Sequence, residues 1–236
     1  VPATPVPAAP PAARGPAIDL RRVSASWTGD AEAVAATDLT LPPGRHVALV
    51  GPNGCGKSTL LAVIARHLDP SAGTHRLDGV DVLELDPAEV RRHVAVVDDE
   101  PHVLATTLAQ NLRLARPEAT DAELRSGLER SGLQRWFADL PDGLQTRLGT
   151  GGRGVSGGER TRLSVARAVV ADRPVVLLDE PTAHLDHPTA TAVLNDVLTA
   201  TSERTVVLVS HRPEALERFD AGLDLGSAPS APAPKE

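Results

Sequence analysis

Three glycines, a lysine and two hydroxyl side chains fall together in Gly51-Pro52-Asn53-Gly54-Cys55-Gly56-Lys57-Ser58-Thr59. The pattern G-x-x-x-x-G-K-[ST] suits one chemistry, the cradling of a polyphosphate. Its glycines let backbone N–H groups converge on phosphate oxygens. A helix opening at Lys57 adds the positive end of its dipole. Lys57 is expected to reach the β- and γ-phosphates, and Ser58 to ligate Mg²⁺. The chain has two lysines, Lys57 and Lys235, and every other basic side chain of this type is arginine. At position 57 a compact charge on a flexible stem serves better than a planar fork.

A second constellation follows the apolar run Val175-Val176-Leu177-Leu178, which ends in Asp179-Glu180. Asp179 is expected to hold Mg²⁺, through water, and Glu180 to polarise or deprotonate an attacking water. Acidic loops after strands are common, so this pair takes its meaning from the phosphate loop before it. His211 comes just after the apolar run 206–209 and Ser210. That places it at a strand's carboxyl end, where ligands of open α/β sheets bind, and an imidazole there can hydrogen-bond a γ-phosphate. Cys55 is the one cysteine, which excludes an internal disulfide and fits a reducing compartment. It reads either as a thiol acidified by the helix start or as a small residue in a permissive slot.

These residues need a frame. Short β-branched runs at 46–50, 94–97, 175–178 and 206–209 are apolar on both faces. They predict central parallel strands covered by helices on each side. Residues 18–26 alternate more and predict an edge or antiparallel strand. Helical patterns lie between the runs, one over 57–68 and one opened by Asp86 as N-cap with Pro87 at the first helical position. Between 98 and 172 strand-like runs vanish. Helical patterns over 106–115, 120–131 and 157–171 replace them, punctuated by Pro117 and Pro141-Asp142-Gly143. The expectation is an α/β core, 17–97 and 172–226, with a helical lobe, 98–171, inserted between two strands. Residues 1–16 and 227–236 are rich in Pro and Ala and read as a linker and a tail.

The 236 residues allow one sizeable core or two small lobes. No stretch approaches the roughly 18 to 20 continuous apolar residues of a membrane-spanning helix, so no direct membrane insertion of this segment is expected. Acidic residues number 31 against 24 basic, and no basic block stands out, which argues against nucleic acid as a partner. No signal-peptide pattern is read in the opening residues, and the sequence holds no methionine, even at position 1. The chain is expected to be a segment of a longer polypeptide or processed at its start.

Between the phosphate loop and the acidic pair stands Val155-Ser156-Gly157-Gly158-Glu159. It resembles the L-S-G-G-Q signature of ATP-binding cassette (ABC) ATPases, and it opens the helix expected from Gly157. Other segments match the family in order. Trp27 stands where the family has an aromatic that stacks on adenine. Pro181-Thr182-Ala183-His184-Leu185-Asp186 is similar to the loop after the catalytic glutamate, with Asp186 directed at a partner. Arg153-Gly154 is similar to the exporter segment that touches the membrane domain. The resemblance covers about residues 18–225. It implies a P-loop NTPase with a RecA-like core, an antiparallel β edge and an inserted α-helical subdomain. It also implies ATP and Mg²⁺ as cofactors, Lys57, Glu180 and His211 in hydrolysis, and a head-to-tail dimer of nucleotide-binding domains. In that dimer Ser156, Gly157, Gly158 and Glu159 meet the γ-phosphate of ATP held by the opposite subunit. The implied setting is the cytoplasmic face of a bacterial inner membrane, attached to the transmembrane domain of an exporter.

Two positions depart from the family. Asp99 stands where glutamine is usual; a carboxylate can ligate Mg²⁺ but cannot donate a hydrogen bond. Glu159 ends the signature in place of glutamine, and its charge near ATP is unfavourable unless it points away or pairs, with Arg160 or Arg162 as candidates. Residues 98–107 and 111–117, with Gly149-Thr150-Gly151-Gly152-Arg153-Gly154, are similar to the CydC-type subunit of bacterial thiol exporters, which pairs with a CydD-type subunit. Three other readings stay open: a degenerate regulatory half of a heterodimer, a soluble ABC ATPase acting on ribosomes or DNA, and the stand-alone ATPase of an importer.

Overall fold

A computed structural model describes residues 15–29, 32–149, 154–210 and 218–226. The chain begins with two antiparallel strands, β1 (Ile18–Ala25) and β2 (Val34–Leu41), and then enters a second sheet with β3 (His46–Val50). Helix α1 (Lys57–Ile64) returns it to the first sheet, to β4 (Ala72–Leu77) and the short β5 (Val80–Asp81). Next come α2 (Pro87–His93) and β6 (Val94–Val97), back in the second sheet. Four helices follow: α3 (Leu108–Arg113), α4 (Asp121–Arg130), α5 (Gln134–Ala138) and α6 (Gly157–Val170). The described chain closes with β7 (Val175–Asp179), α7 (His187–Ala200), β8 (Thr205–Val209) and β9 (Ala221–Asp224).

The two sheets have different characters. One is antiparallel, in the order β2-β1-β4-β5. The other is parallel throughout, in the order β6-β7-β8-β3-β9. The continuous apolar runs of β7 and β8 follow from burial on both faces. Val175, Leu177, Val207 and Val209 pack into the cluster that holds α1 and the antiparallel sheet. Val176, Leu178, Val206 and Leu208 point the other way, into the cluster shared with α6 and α7. Helix α1 is thus enclosed between the sheets.

The helices between β6 and β7 build a third cluster, around Leu108, Leu112, Leu124, Leu128 and Trp136. Helix α6 serves two clusters at once. Leu163, Ala166 and Val170 face the helical cluster, while Val165 and Val169 face the sheet. No helix among the described residues is long and apolar enough to cross a membrane.

Local chemistry sets the helix ends. Thr107, Thr120 and Ser156 each open a helix with a capping box, reciprocated by Gln110, Glu123 and Glu159. Asp86 caps α2, whose first residue is Pro87. Of the two readings of β1, edge or antiparallel, the second holds: β1 pairs antiparallel with both β2 and β4 and lies between them. One sequence expectation needs correction. The helix expected over 57–68 stops at Ile64, where the chain turns into the left-handed Arg66, φ 53°.

Candidate functional site

The phosphate loop joins β3 to α1, and its glycines are needed for two different reasons. Gly51, Gly54 and Gly56 all have left-handed backbone, with φ of 140°, 80° and 95°. Gly56 also has no room for a side chain: a Cβ there would lie 2.1 Å from the Ala33 carbonyl oxygen. The start of β2 therefore presses against the loop and forms its wall. Pro52, Asn53 and Gly54 are exposed at the rim, and Cys55 is half-buried beneath them.

Lys57 is buried, and its Nζ donates to the carbonyls of Gly51, at 3.0 Å, and Pro52, at 2.9 Å. The loop is curled around its own cation. Lys57, Asn53, Gly54, Gly56, Ser58, Thr59, Ala33 and Glu180 line one cleft of about 340 Å³. A lysine beneath a glycine-rich loop at the start of a helix has the chemistry to take an anion.

Trp27 follows β1, 60% exposed, and its Nε1 donates to Thr59 Oγ1 at 3.2 Å. The indole is pinned by its edge beside the loop with its face open, which suits stacking on a flat ligand.

Asp179 ends β7 at the loop's far side. Burial pushes its carboxyl above the usual range, against the opposing pull of a hydrogen bond from Ser58, and the neighbouring charges of Glu180, Asp99 and Asp98 raise it further. The Asp179 carboxylate and the Ser58 hydroxyl bonded to it are oxygen donors of the kind Mg²⁺ takes, so Mg²⁺ fits these two residues. Asp99 sits just beyond β6 and accepts from the Glu100 amide at 2.9 Å. Glu180 adopts a left-handed backbone, φ 42°, fixed by its own amide donating to Val209 at 3.1 Å. That turn swings its side chain into the cleft.

Among the described residues, the candidates at the start of α6 and at Asp186 do not line this cleft. Ser156, Gly157, Gly158 and Glu159 open α6. Two ways were open to Glu159, turning away or pairing with Arg160 or Arg162, and the structure shows no arginine pair for it among the described residues. Its carboxylate folds back to accept from the Ser156 amide at 2.7 Å, while Arg162 pairs with Asp196 at 2.7 Å. A capping box needs only one short side chain to turn, so it outcompetes a pair of long flexible ones. Asp186 caps α7, accepting from the Thr189 amide at 3.3 Å. His211 and Arg153 lie outside the described residues.

Sequence reasoning missed two features of the site. Ala33 acts through its backbone carbonyl, and nothing in an alanine signals that. The left-handed Glu180 gives no signal either, because glutamate rarely adopts that conformation.

The ABC transporter family model matches residues 34–183. The chain is 40% identical over 198 residues to the β-(1→2)glucan export ATP-binding/permease protein of Bradyrhizobium diazoefficiens, covering 83% of this chain and 32% of that one. It is 39% identical over 188 residues to the glutathione/L-cysteine transport system ATP-binding/permease protein CydC of Escherichia coli, covering 80% and 32%. Its fold is similar to that of a bacterial Atm1-family ABC exporter with ATP bound, with a TM-score of 0.80 at 30% identity, covering 94% of this chain and 40% of that one. The chain spans about a third of the length of these curated relatives.

Proposed function

The chain belongs to the ABC transporter family, whose ATP-binding domains are ATPases, and from that premise we propose that it is the MgATP-hydrolysing domain of an exporter and works as one of a pair. The observation that carries this reading is the division of the site. The phosphate loop, Lys57 and Glu180 share a cleft, whereas the start of α6, the second expected phosphate contact, is not part of it. One copy holds half a site, and a second nucleotide-binding domain, turned head to tail, supplies the other half.

In this reading Lys57 and the loop amides bind the β- and γ-phosphates, and Trp27 stacks on the base. Ser58, Asp179 and Asp99 would hold Mg²⁺, which would supply charge neutralisation on the phosphates. Glu180 takes the proton of the attacking water. Its left-handed backbone sets the side chain at the cleft. Ser156 and the amides of Gly157 and Gly158 meet the partner's nucleotide, Asp186 approaches the partner, and His211 meets the γ-phosphate. Closure traps ATP, hydrolysis releases the pair, and the cycle drives attached membrane helices at the cytoplasmic face of the membrane. Functional boundaries follow: core 17–97 and 172–226, helical lobe 98–171. The likeness to CydC favours a thiol such as glutathione or cysteine as cargo and an unlike subunit as partner.

The test is MgATP turnover across protein concentration, with Glu180→Gln beside the native chain. Native specific activity should rise with concentration. Glu180→Gln should lower turnover about a hundredfold to ten-thousandfold while ATP still binds. Native-like turnover in that variant would remove Glu180 from its role. If native and variant are equally silent while ATP binds, a like partner does not complete the site, which contradicts homodimeric catalysis and favours the unlike pair.

A further inference from the structure

The hairpin that joins β1 to β2 meets the start of α1 at two points. On its second arm the Ala33 carbonyl stands against Gly56 and leaves no room for a Cβ. On its first arm Trp27 Nε1 donates to Thr59 Oγ1 at 3.2 Å. Gly56 and Thr59 are three residues apart, so they neighbour one another on the side of the helix that is turned to the hairpin. The two arms are themselves tied together. The Ala33 amide donates to the Ala25 carbonyl at 2.8 Å, and the Gly29 amide to Ser26 Oγ at 2.9 Å.

The partners of the Trp27–Thr59 hydrogen bond differ in exposure. Thr59 is buried within the enclosed helix α1, whereas Trp27 stands 60% exposed. No other aromatic ring among the described residues packs on the indole. A ring so exposed has little packing to hold it, and the hydrogen bond takes over that task. The indole has one polar hydrogen, and it is spent on an acceptor fixed in a helix. That sets the ring's edge, and with it the direction of its open face. An unheld ring would surrender its rotamer freedom only when a base arrived, and immobilising a side chain on binding weakens affinity.

We propose that Thr59 is a positioning residue for Trp27. Its hydroxyl oxygen holds the indole in the stacking orientation before nucleotide arrives, so that base platform and phosphate loop form one preformed surface. The inference rests on the nucleotide reading above and deepens it. The pattern G-x-x-x-x-G-K-[ST] ends at Ser58, and Thr59, one residue further on, serves the platform.

The experiment is ¹⁵N relaxation of the indole N–H groups in the full chain, which has two tryptophans, Trp27 and Trp136. Trp27→Phe identifies the Trp27 signal by its loss. An order parameter of about 0.85 marks a rigid group, and one below about 0.6 a mobile one. Without nucleotide, the Trp27 indole should be rigid in the native protein and mobile in Thr59→Val. In Thr59→Ser, which keeps the hydroxyl, it should be rigid again. A mobile indole in the native protein, or a rigid one in Thr59→Val, overturns the proposal. Calorimetry with MgADP gives the second readout. Thr59→Val should weaken binding about twofold to tenfold. In Trp27→Phe, which keeps a stacking ring but has no N–H to hold, the same substitution should cost little further. An equal cost in that background means that Thr59 acts on the nucleotide directly, and the proposal falls while the nucleotide reading stands. If the native protein does not bind MgADP at all, the nucleotide reading falls and takes the proposal with it. Should Thr59→Val fail to fold, Thr59→Ala removes the same acceptor and carries the same expectations.

Discussion

Helices α1 and α6 both direct an N-terminus at a phosphate in the function proposed, yet they begin in opposite ways. Helix α1 starts after Gly56 in a left-handed conformation, with no side-chain cap and no acidic residue in its first turn. Its first residue is the cation Lys57. Helix α6 starts after an extended Ser156, with a complete capping box and Glu159 in its first turn. Every helix leaves its first amides without internal partners. Helix α1 leaves them open for a ligand and keeps its loop curled around Lys57. Helix α6 supplies its own hydroxyl and its own carboxylate. An open pole with a lysine holds an anion firmly, whereas a pole that already carries an internal anion holds a second one weakly. In the function proposed, the chain thus separates a binding half from a half that engages only when a partner arrives.

The firm pole should fail hardest. Lys57→Ala removes the charge-assisted contacts to phosphate, and MgATP affinity by calorimetry should fall about tenfold to a hundredfold. Unchanged affinity would mean that the loop amides alone hold the nucleotide, and the contrast with α6 would lose its basis.

The firm pole also leans on the antiparallel sheet, and that sheet contains an acid-sensitive residue. His75 in β4 is fully buried, opposite Leu20 of β1, and neither ring nitrogen has a partner among the described residues. Burial lowers its pKa from 6.5 to about 4; the charges of Asp81 and Asp69 oppose this, and Arg66 adds to it. In the unfolded chain the imidazole takes its proton near pH 6.5. In the folded chain it resists protonation until about pH 4. Stability is therefore complete above 6.5, declines as pH falls, and levels off below about 4, a loss of about 3 kcal/mol. Urea midpoints should follow that curve in the native protein. In His75→Leu this part of the decline should vanish. A decline of the same size in His75→Leu would place the acid sensitivity elsewhere.

The sequence exposed these features unevenly. Strands β3, β6, β7 and β8 were readable because burial on both faces leaves an unbroken apolar run. The phosphate loop, the acidic pair and the start of α6 were readable because each demands particular residue types at fixed spacing. What could not be read was set by backbone or by contact. The Ala33 carbonyl against Gly56, the left-handed turn at Glu180 and the hydrogen bonds that Arg167 of α6 donates to Asn111 of α3 depend on which segments meet, and a lone asparagine or arginine in a helical stretch does not announce its partner. The antiparallel strands β2, β4 and β5 were missed for a related reason. Their half-exposed faces interrupt the apolar pattern, so alternation there resembles ordinary polar sequence.

Glu159 gives the smallest effect and the most discriminating one. As the box partner of Ser156, its carboxylate sits among the same first-turn amides that a phosphate would use. Glu159→Gln keeps an oxygen acceptor for the Ser156 amide and removes only the charge. Without nucleotide, loss of that charge at a helix start should lower stability by about 0.3–1 kcal/mol. With MgATP, the repulsion between carboxylate and phosphate disappears, so ATP-dependent association of the two halves should tighten about twofold to fivefold at low salt and less at high salt. The two changes have opposite signs. A carboxylate with a purely structural role would weaken the empty helix and the nucleotide-bound pair together. Thermal melting of the nucleotide-free protein, set beside light scattering with MgATP in the Glu180→Gln background, separates the two cases. If both measurements move toward weakness, Glu159 is a cap and no more. If they move apart, the carboxylate makes α6 the weaker pole.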